Sequence, residues 1–184
     1  MRVDISSGQV FSVCQAEGGG RGGAWGQGDV IVFSPAIGSP IFSVSAAGGT
    51  PVAITQVDTL QHSTHRWPFF LPDGKHFLYF AGNHFKSDSI QNSIWFSSLD
   101  GTDNHLVMPN LTDGAYADGR LLFVRGSVLF EQAFEPTDGR LLGEPIATKD
   151  RVQVDRTTWK ANFSVCENNI MVYQVVGGKQ GTQS

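Results

Sequence analysis

The chain has 184 residues, among them 22 Gly, 8 Pro, 13 Phe and 2 Cys, and its 13 Lys and Arg stand against 17 Asp and Glu for a net charge of -4. That length fits one domain. Glycine well above its usual share breaks up long helices, no apolar run is long enough for a spanning helix, and no block of like charge supplies the clustered Lys and Arg of a nucleic-acid surface, so a helical bundle, an integral membrane segment and a nucleic-acid-binding protein are excluded.

Met1 to Ile5 and Gln9 to Val13 read as two strands joined at Ser6-Ser7-Gly8. The opening residues contain no apolar h-region, so no signal peptide is expected. Gly18-Gly19-Gly20-Arg21-Gly22-Gly23 satisfies G-x-G-x-x-G in form. That fingerprint works only between a strand and a helix whose N-terminus receives a pyrophosphate, and no helix starts on Ala24-Trp25-Gly26-Gln27-Gly28, so a connecting loop is expected.

From Trp25 onward the chain repeats. Trp25 to Phe33, Trp67 to Phe80, Tyr116 to Val124 and, more weakly, Phe163 to Tyr173 share one pattern: an aromatic, a tight turn, then a β-branched or aromatic run. The turns fall at Gly28, Gly74, Gly119 and Asn169, a period of about 45 to 50 residues. Each period then adds a second strand pair: Pro40 to Ser45 with Val52 to Thr55, Ile94 to Leu99 with Leu106 to Met108, and Val128 to Phe134 with Pro145 to Thr148.

Four short antiparallel strands per period is the pattern of a β-propeller blade, a unit that cannot bury both faces alone and so stacks on its neighbours. The expected fold is all-β: a β-propeller fragment over 1–176, about four blade-equivalents long. Residues 1–16 would be the last two strands of a preceding blade, 23–56, 65–109 and 114–149 whole blades, 158–176 the first two strands of a further blade, and 177–184 a polar tail. The terminal pairs either complete one another in a four-bladed ring or leave an open arc with exposed edges.

The chemistry-bearing residues fit this scaffold as structural parts. Cys14 and Cys166 form no C-x-x-C motif and are expected as two buried thiols. His62, His65, His76, His84 and His105 all fall in one period, and His62-x-x-His65 lacks the third and fourth ligands of a zinc site. The Asp-Gly pairs at Asp73, Asp100, Asp113, Asp118 and Asp138 are spread along the chain rather than gathered as calcium requires, and are expected to form turns. No G-x-S-x-G elbow occurs. The sequons at Asn110 and Asn162 carry no weight. No catalytic, cofactor-binding or metal residue is assigned and no cofactor is expected.

Gly22-Gly23-Ala24-Trp25, Val44 to Pro51, His65-Arg66-Trp67-Pro68-Phe69-Phe70-Leu71-Pro72-Asp73-Gly74-Lys75-His76-Phe77-Leu78-Tyr79 and Leu122-Phe123-Val124-Arg125 together resemble the TolB-like, WD-like β-propeller region that follows the catalytic domain in bacterial, acidobacterial-type serine/threonine protein kinases. The resemblance covers nearly the whole chain, and His65 to Tyr79 is its most specific string. It implies an open arc, the middle slice of a larger propeller, with His65 bonding between blades and Trp67 filling the core. The kinase's own motifs and the Trp-Asp dipeptide of WD repeats are absent.

The resemblance implies a non-catalytic ligand- or protein-binding and sensing module of a membrane-anchored kinase, on the periplasmic side of the membrane. A protein or small molecule would bind at the loops or central channel, with neighbouring blades and the kinase domain as further partners. The alternatives are the propeller of a prolyl-oligopeptidase-like enzyme, a TolB-like periplasmic scaffold, or a truncated gene product.

Overall fold

The computed structural model describes residues 1–16, 18–85, 92–166 and 170–177. The Asn169 turn of the fourth repeat and all but Gly177 of the polar tail lie outside them. Every regular element among the described residues is a strand. β1 (Arg2–Val3) and β2 (Val10–Phe11) form a pair. The first four-stranded sheet comprises β3 (Gly23–Trp25), β4 (Val30–Phe33), β5 (Phe42–Ser45) and β6 (Val52–Ala53). The second contains β7 (Thr64–Phe70), β8 (His76–Gly82), β9 (Ser93–Ser98) and β10 (Asn104–Pro109). The third contains β11 (Gly114–Ala117), β12 (Arg120–Arg125), β13 (Val128–Glu135) and β14 (Arg140–Arg151). In each of the three, strands neighbour one another in chain order and run antiparallel.

Local chemistry sets these hairpins. Ala117 pairs with Arg120 across Asp118-Gly119, whose φ values of 47° and 74° are both positive. This is the left-handed geometry of a type I′ turn, which Asp and Gly tolerate and which matches the twist of the flanking strands. At the β7–β8 turn the Asp73 carboxylate accepts the N–H groups of Lys75 (2.9 Å) and His76 (3.0 Å), so the side chain itself closes the loop.

Alternation along β8 then sends side chains to two different partners. Phe77, Tyr79 and Ala81 pack with Val32 and Ile41 of the first sheet and its β4–β5 loop. Leu78, with Ile94 and Phe96 across the ladder, packs with Leu121, Phe123 and Phe134 of the third sheet. β12 repeats the arrangement: Leu121 and Phe123 face the second sheet, while Leu122 and Val124 join Val152, Ala161 and Phe163 on the far side. The second and third sheets are thus each covered on both faces. Gly139, at φ 68° in the β13–β14 turn, lets the third sheet approach so closely that a Cβ there would sit 2.5 Å from the Phe96 ring.

Beyond β14 the chain makes two further hairpins. β15 (Val154–Asp155) pairs with β16 (Lys160–Ala161), and β17 (Phe163–Val165) pairs with β18 (Met171–Tyr173). The first of these departs from the repeat pattern; its segment, Val154 to Ala161, carries no apolar alternation, and a turn through Asp155 holds it. There the Asp155 carboxylate accepts the Thr157 N–H and hydroxyl and the Thr158 hydroxyl. The β1–β2 and β17–β18 pairs remain separate two-stranded sheets. At the N-terminal end, Gly49 N–H donates to the Val13 carbonyl at 3.1 Å, tying that segment to the first sheet.

Phe123 is fully buried between the second and third sheets and stacks on Phe130 at 5.7 Å. Phe123→Ala is expected to lower unfolding stability by about 3–5 kcal/mol. Leu60→Ala, at a residue 83% exposed, is expected to change it by less than about 0.5 kcal/mol. Urea titrations of the two variants against the parent check both values.

Candidate functional site

The first strands of the successive units lie side by side: β3 contacts β7, β7 contacts β11, and β11 contacts β17. Their C-terminal ends, with the turns that follow β3, β7 and β11, border an open cavity of about 600 Å³, lined by Ala24 to Gln27, Phe69 to Pro72, Tyr116 to Gly119, Val165 and Cys166. Each unit contributes the same part of its repeat. That volume falls within the usual range for small-molecule pockets.

The lining is mainly apolar and aromatic. Trp25 is 52% exposed, the most open of the four tryptophans, and Phe69, Phe70 and Tyr116 are only partly buried. The Tyr116 hydroxyl accepts the Gly119 N–H at 3.1 Å, bracing the type I′ turn. Asp118, on that turn, carries the one charged side chain among the described residues of the lining. Its carboxylate is exposed and has no hydrogen bond or ion pair among the described residues. Gln27 and the exposed thiol of Cys166 complete the polar contribution.

At the opposite end of β7 the structure is closed. Arg66 is completely buried, and its guanidinium donates to Thr64 Oγ1 (3.1 Å), the Thr158 carbonyl (3.3 Å), the Ile37 carbonyl (3.5 Å) and His84 Nε2 (3.0 Å). It also lies over the Trp159 ring at 4.8 Å. One side chain thereby joins the first sheet, the second sheet and the β15–β16 turn. Burial, and secondarily the charge of Arg21, lowers its pKa to about 10, so it remains a cation at neutral pH. Because guanidinium only donates, His84 Nε2 accepts, which puts the imidazole proton on Nδ1 facing Ser63 Oγ at 2.7 Å. Desolvation first, then the Arg66 and Arg21 charges, holds His84 below its ordinary pKa.

The histidines and turn residues singled out in the sequence separate by role. Buried His65 donates its backbone N–H to the Ser39 carbonyl (3.0 Å) and bonds Thr55 Oγ1 through Nδ1 (2.9 Å), joining the second sheet to the first. His62 packs on Trp95 and His65. His76 and His105 flank Phe96. No three His, Cys, Asp or Glu side chains among the described residues are grouped to hold a metal. Asn110 is buried and donates to the Thr112 carbonyl and hydroxyl, bracing the entry to β11.

Three expectations need correction. Trp67 does not fill the core: a bulge between Arg66 and Phe69 puts it at φ 53°, partly exposed against Gly22, with its indole donating to the Thr158 carbonyl at 2.8 Å. Asp113 is not a turn residue. It is buried, pairs with Lys160 and accepts the Ala161 N–H at 2.8 Å, clamping the start of β11 to β16; burial pushes its pKa up against the pull of Lys160. The cysteines are not both buried: Cys14 is half-buried and Cys166 exposed, because Cys166 lies past the last ladder pair of β17, Val165 with Met171, where the strand opens into the cavity. The cavity itself is not evident from the sequence taken strand by strand. Its signal is nonetheless present, since the same aromatic and turn positions recur in every repeat.

No protein-family model matches this chain, and no curated protein matches it.

Burial, with a smaller contribution from His62, lowers the His65 pKa to about 3. The unfolded chain takes up this proton below about pH 6.5 and the native chain only near pH 3, so the stability due to neutral His65 is present above pH 6.5 and lost as the pH falls toward 3. Going from pH 7 to pH 5 is expected to cost about 2 kcal/mol from this residue, and His84 acts in the same direction. Denaturation at the two pH values measures the loss, and His65→Asn should flatten the dependence while lowering stability at pH 7.

Proposed function

We propose that the chain is a non-catalytic binding module, an arc of a β-propeller whose ligand enters the cavity at the ends of β3, β7, β11 and β17. The observation that carries this reading is the equivalence of the lining: four successive units each contribute the end of their first strand to one aromatic pocket. A propeller's inner strands surround a common axis in this way. The two-faced burial of the second and third sheets supports the same reading, since stacked blades share both faces.

The resemblance of His65 to Tyr79 and the accompanying strings to the propeller region of bacterial serine/threonine kinases gives the module its context. Occupancy of the pocket would bias a kinase domain across the membrane from an extracytoplasmic sensor. The described residues of the lining offer recognition by shape, aromatic contact and the Asp118 carboxylate.

A fragment screen read by amide NMR tests the reading. Ligands are expected to shift Gly26, Leu71 and Gly119 together, and the bulk of Cys166→Trp at the mouth should abolish those shifts without unfolding the protein. Fragment shifts confined to residues outside the cavity, or turnover of a phosphoryl or peptide substrate by the purified chain, would contradict it.

A further inference from the structure

Granting that the cavity is a binding site, its lining specifies the charge of the occupant. We propose that it takes an organic monocation, a guanidinium or ammonium group of the kind carried by arginine and lysine side chains. Three observations converge. Among the described residues, Asp118 is the sole charged group of the lining, and its carboxylate has no partner. Nearby basic side chains do not neutralise it: Arg120, the next residue beyond the turn, is engaged with Glu131 at 3.1 Å. Finally, Trp25, Tyr116, Phe69 and Phe70 surround the same space, and aromatic faces attract cations through their quadrupoles while offering an anion nothing.

The backbone fixes the direction of recognition. Asp118 at φ 47° is held in a two-residue turn closed by the Ala117–Arg120 pair and braced by the Tyr116 hydroxyl. The backbone that carries the carboxylate is therefore held at a strand end, and only the side-chain torsions of Asp118 remain to be ordered when a ligand arrives. The cavity, about 600 Å³, has room for an arginine side chain and its flanking backbone. The cation therefore arrives either on a free small molecule or on a segment of a partner protein, and the shared chemistry is the cationic head against Asp118 with its stem along the aromatic wall.

Cys166 supplies the readout, because an occupant of the cavity shields its thiol. Alkylation of Cys166 by iodoacetamide, followed by peptide mass mapping in the full chain, would be measured with acetyl-arginine amide, its neutral isostere acetyl-citrulline amide, and acetyl-glutamate amide. The arginine probe is expected to slow alkylation at concentrations about tenfold lower than the citrulline probe, and the glutamate probe to have no effect. Asp118→Asn removes the charge yet keeps a residue that tolerates the left-handed turn, and it should abolish the tenfold preference. Asp29→Asn, on the neighbouring β3–β4 turn outside the lining, should leave it intact. A pentapeptide with a central arginine that protects at lower concentration than acetyl-arginine amide identifies a protein segment as the source of the cation, and equal protection identifies a small molecule. Equal protection by the arginine and citrulline probes, unchanged in Asp118→Asn, would overturn the cationic preference while leaving the pocket a binding site. Protection by none of the probes would overturn both.

Discussion

Strand β8 has no solvent face, and the positions of the first and third sheets follow from that constraint. Phe77, Tyr79 and Ala81 are committed to the first sheet and Leu78 to the third, all of them at or near zero exposure. A strand buried on both sides needs a sheet on each side. β12 imposes the same requirement one unit later through Leu121 and Phe123 on one face and Leu122 and Val124 on the other. Stacking by this rule brings the first strand of each unit against the first strand of the next, and the cavity is formed where those strands end.

The two ends of the first strands are built for opposite purposes. At one end Arg66, His84, Thr158 and the Asp113–Lys160 pair bond across the units, with Arg66 and Asp113 buried. Trp67 and Trp159 both take left-handed backbone there, at φ 53° and 56°, a conformation that costs a bulky residue about 1–3 kcal/mol and persists only where surrounding contacts fix it. The Trp67 indole bond to Thr158 and the Arg66 guanidinium over Trp159 are those contacts. At the other end stand aromatic and small residues, a carboxylate without a partner among the described residues, and an exposed thiol. Rigidity at the closed end positions the open end, and an occupant of the cavity meets four units at once.

The sheets were legible because their cues are local. Asp73-Gly74 and Asp118-Gly119 announce tight turns, and the runs His76 to Phe80 and Leu121 to Val124 are apolar enough for strands buried on both faces. Roles set by distant partners were not legible. Asp113 sits in an Asp-Gly pair like the others, but Lys160 and the Ala161 N–H, far along the chain, convert it from a turn residue into a buried clamp. Trp67 reads as core by type, and the bulge that rotates it outward depends on Thr158. Cys166 reads as a small buried residue until the opening of β17 into the cavity is seen. The cavity is a sum over three turns and the end of β17, each unremarkable alone.

The convergence of those three turns and the end of β17 is the claim on which the functional reading rests, and a spin label on Cys166 tests it most directly, with Cys14 replaced by Ser so that one thiol reacts. Paramagnetic broadening of amide resonances should appear together at Gly26 and Gln27, at Leu71, and at Asp118 and Gly119, three segments far from Cys166 in sequence, while Leu60 and Val52 stay sharp. Broadening confined to the β17–β18 hairpin would contradict the account.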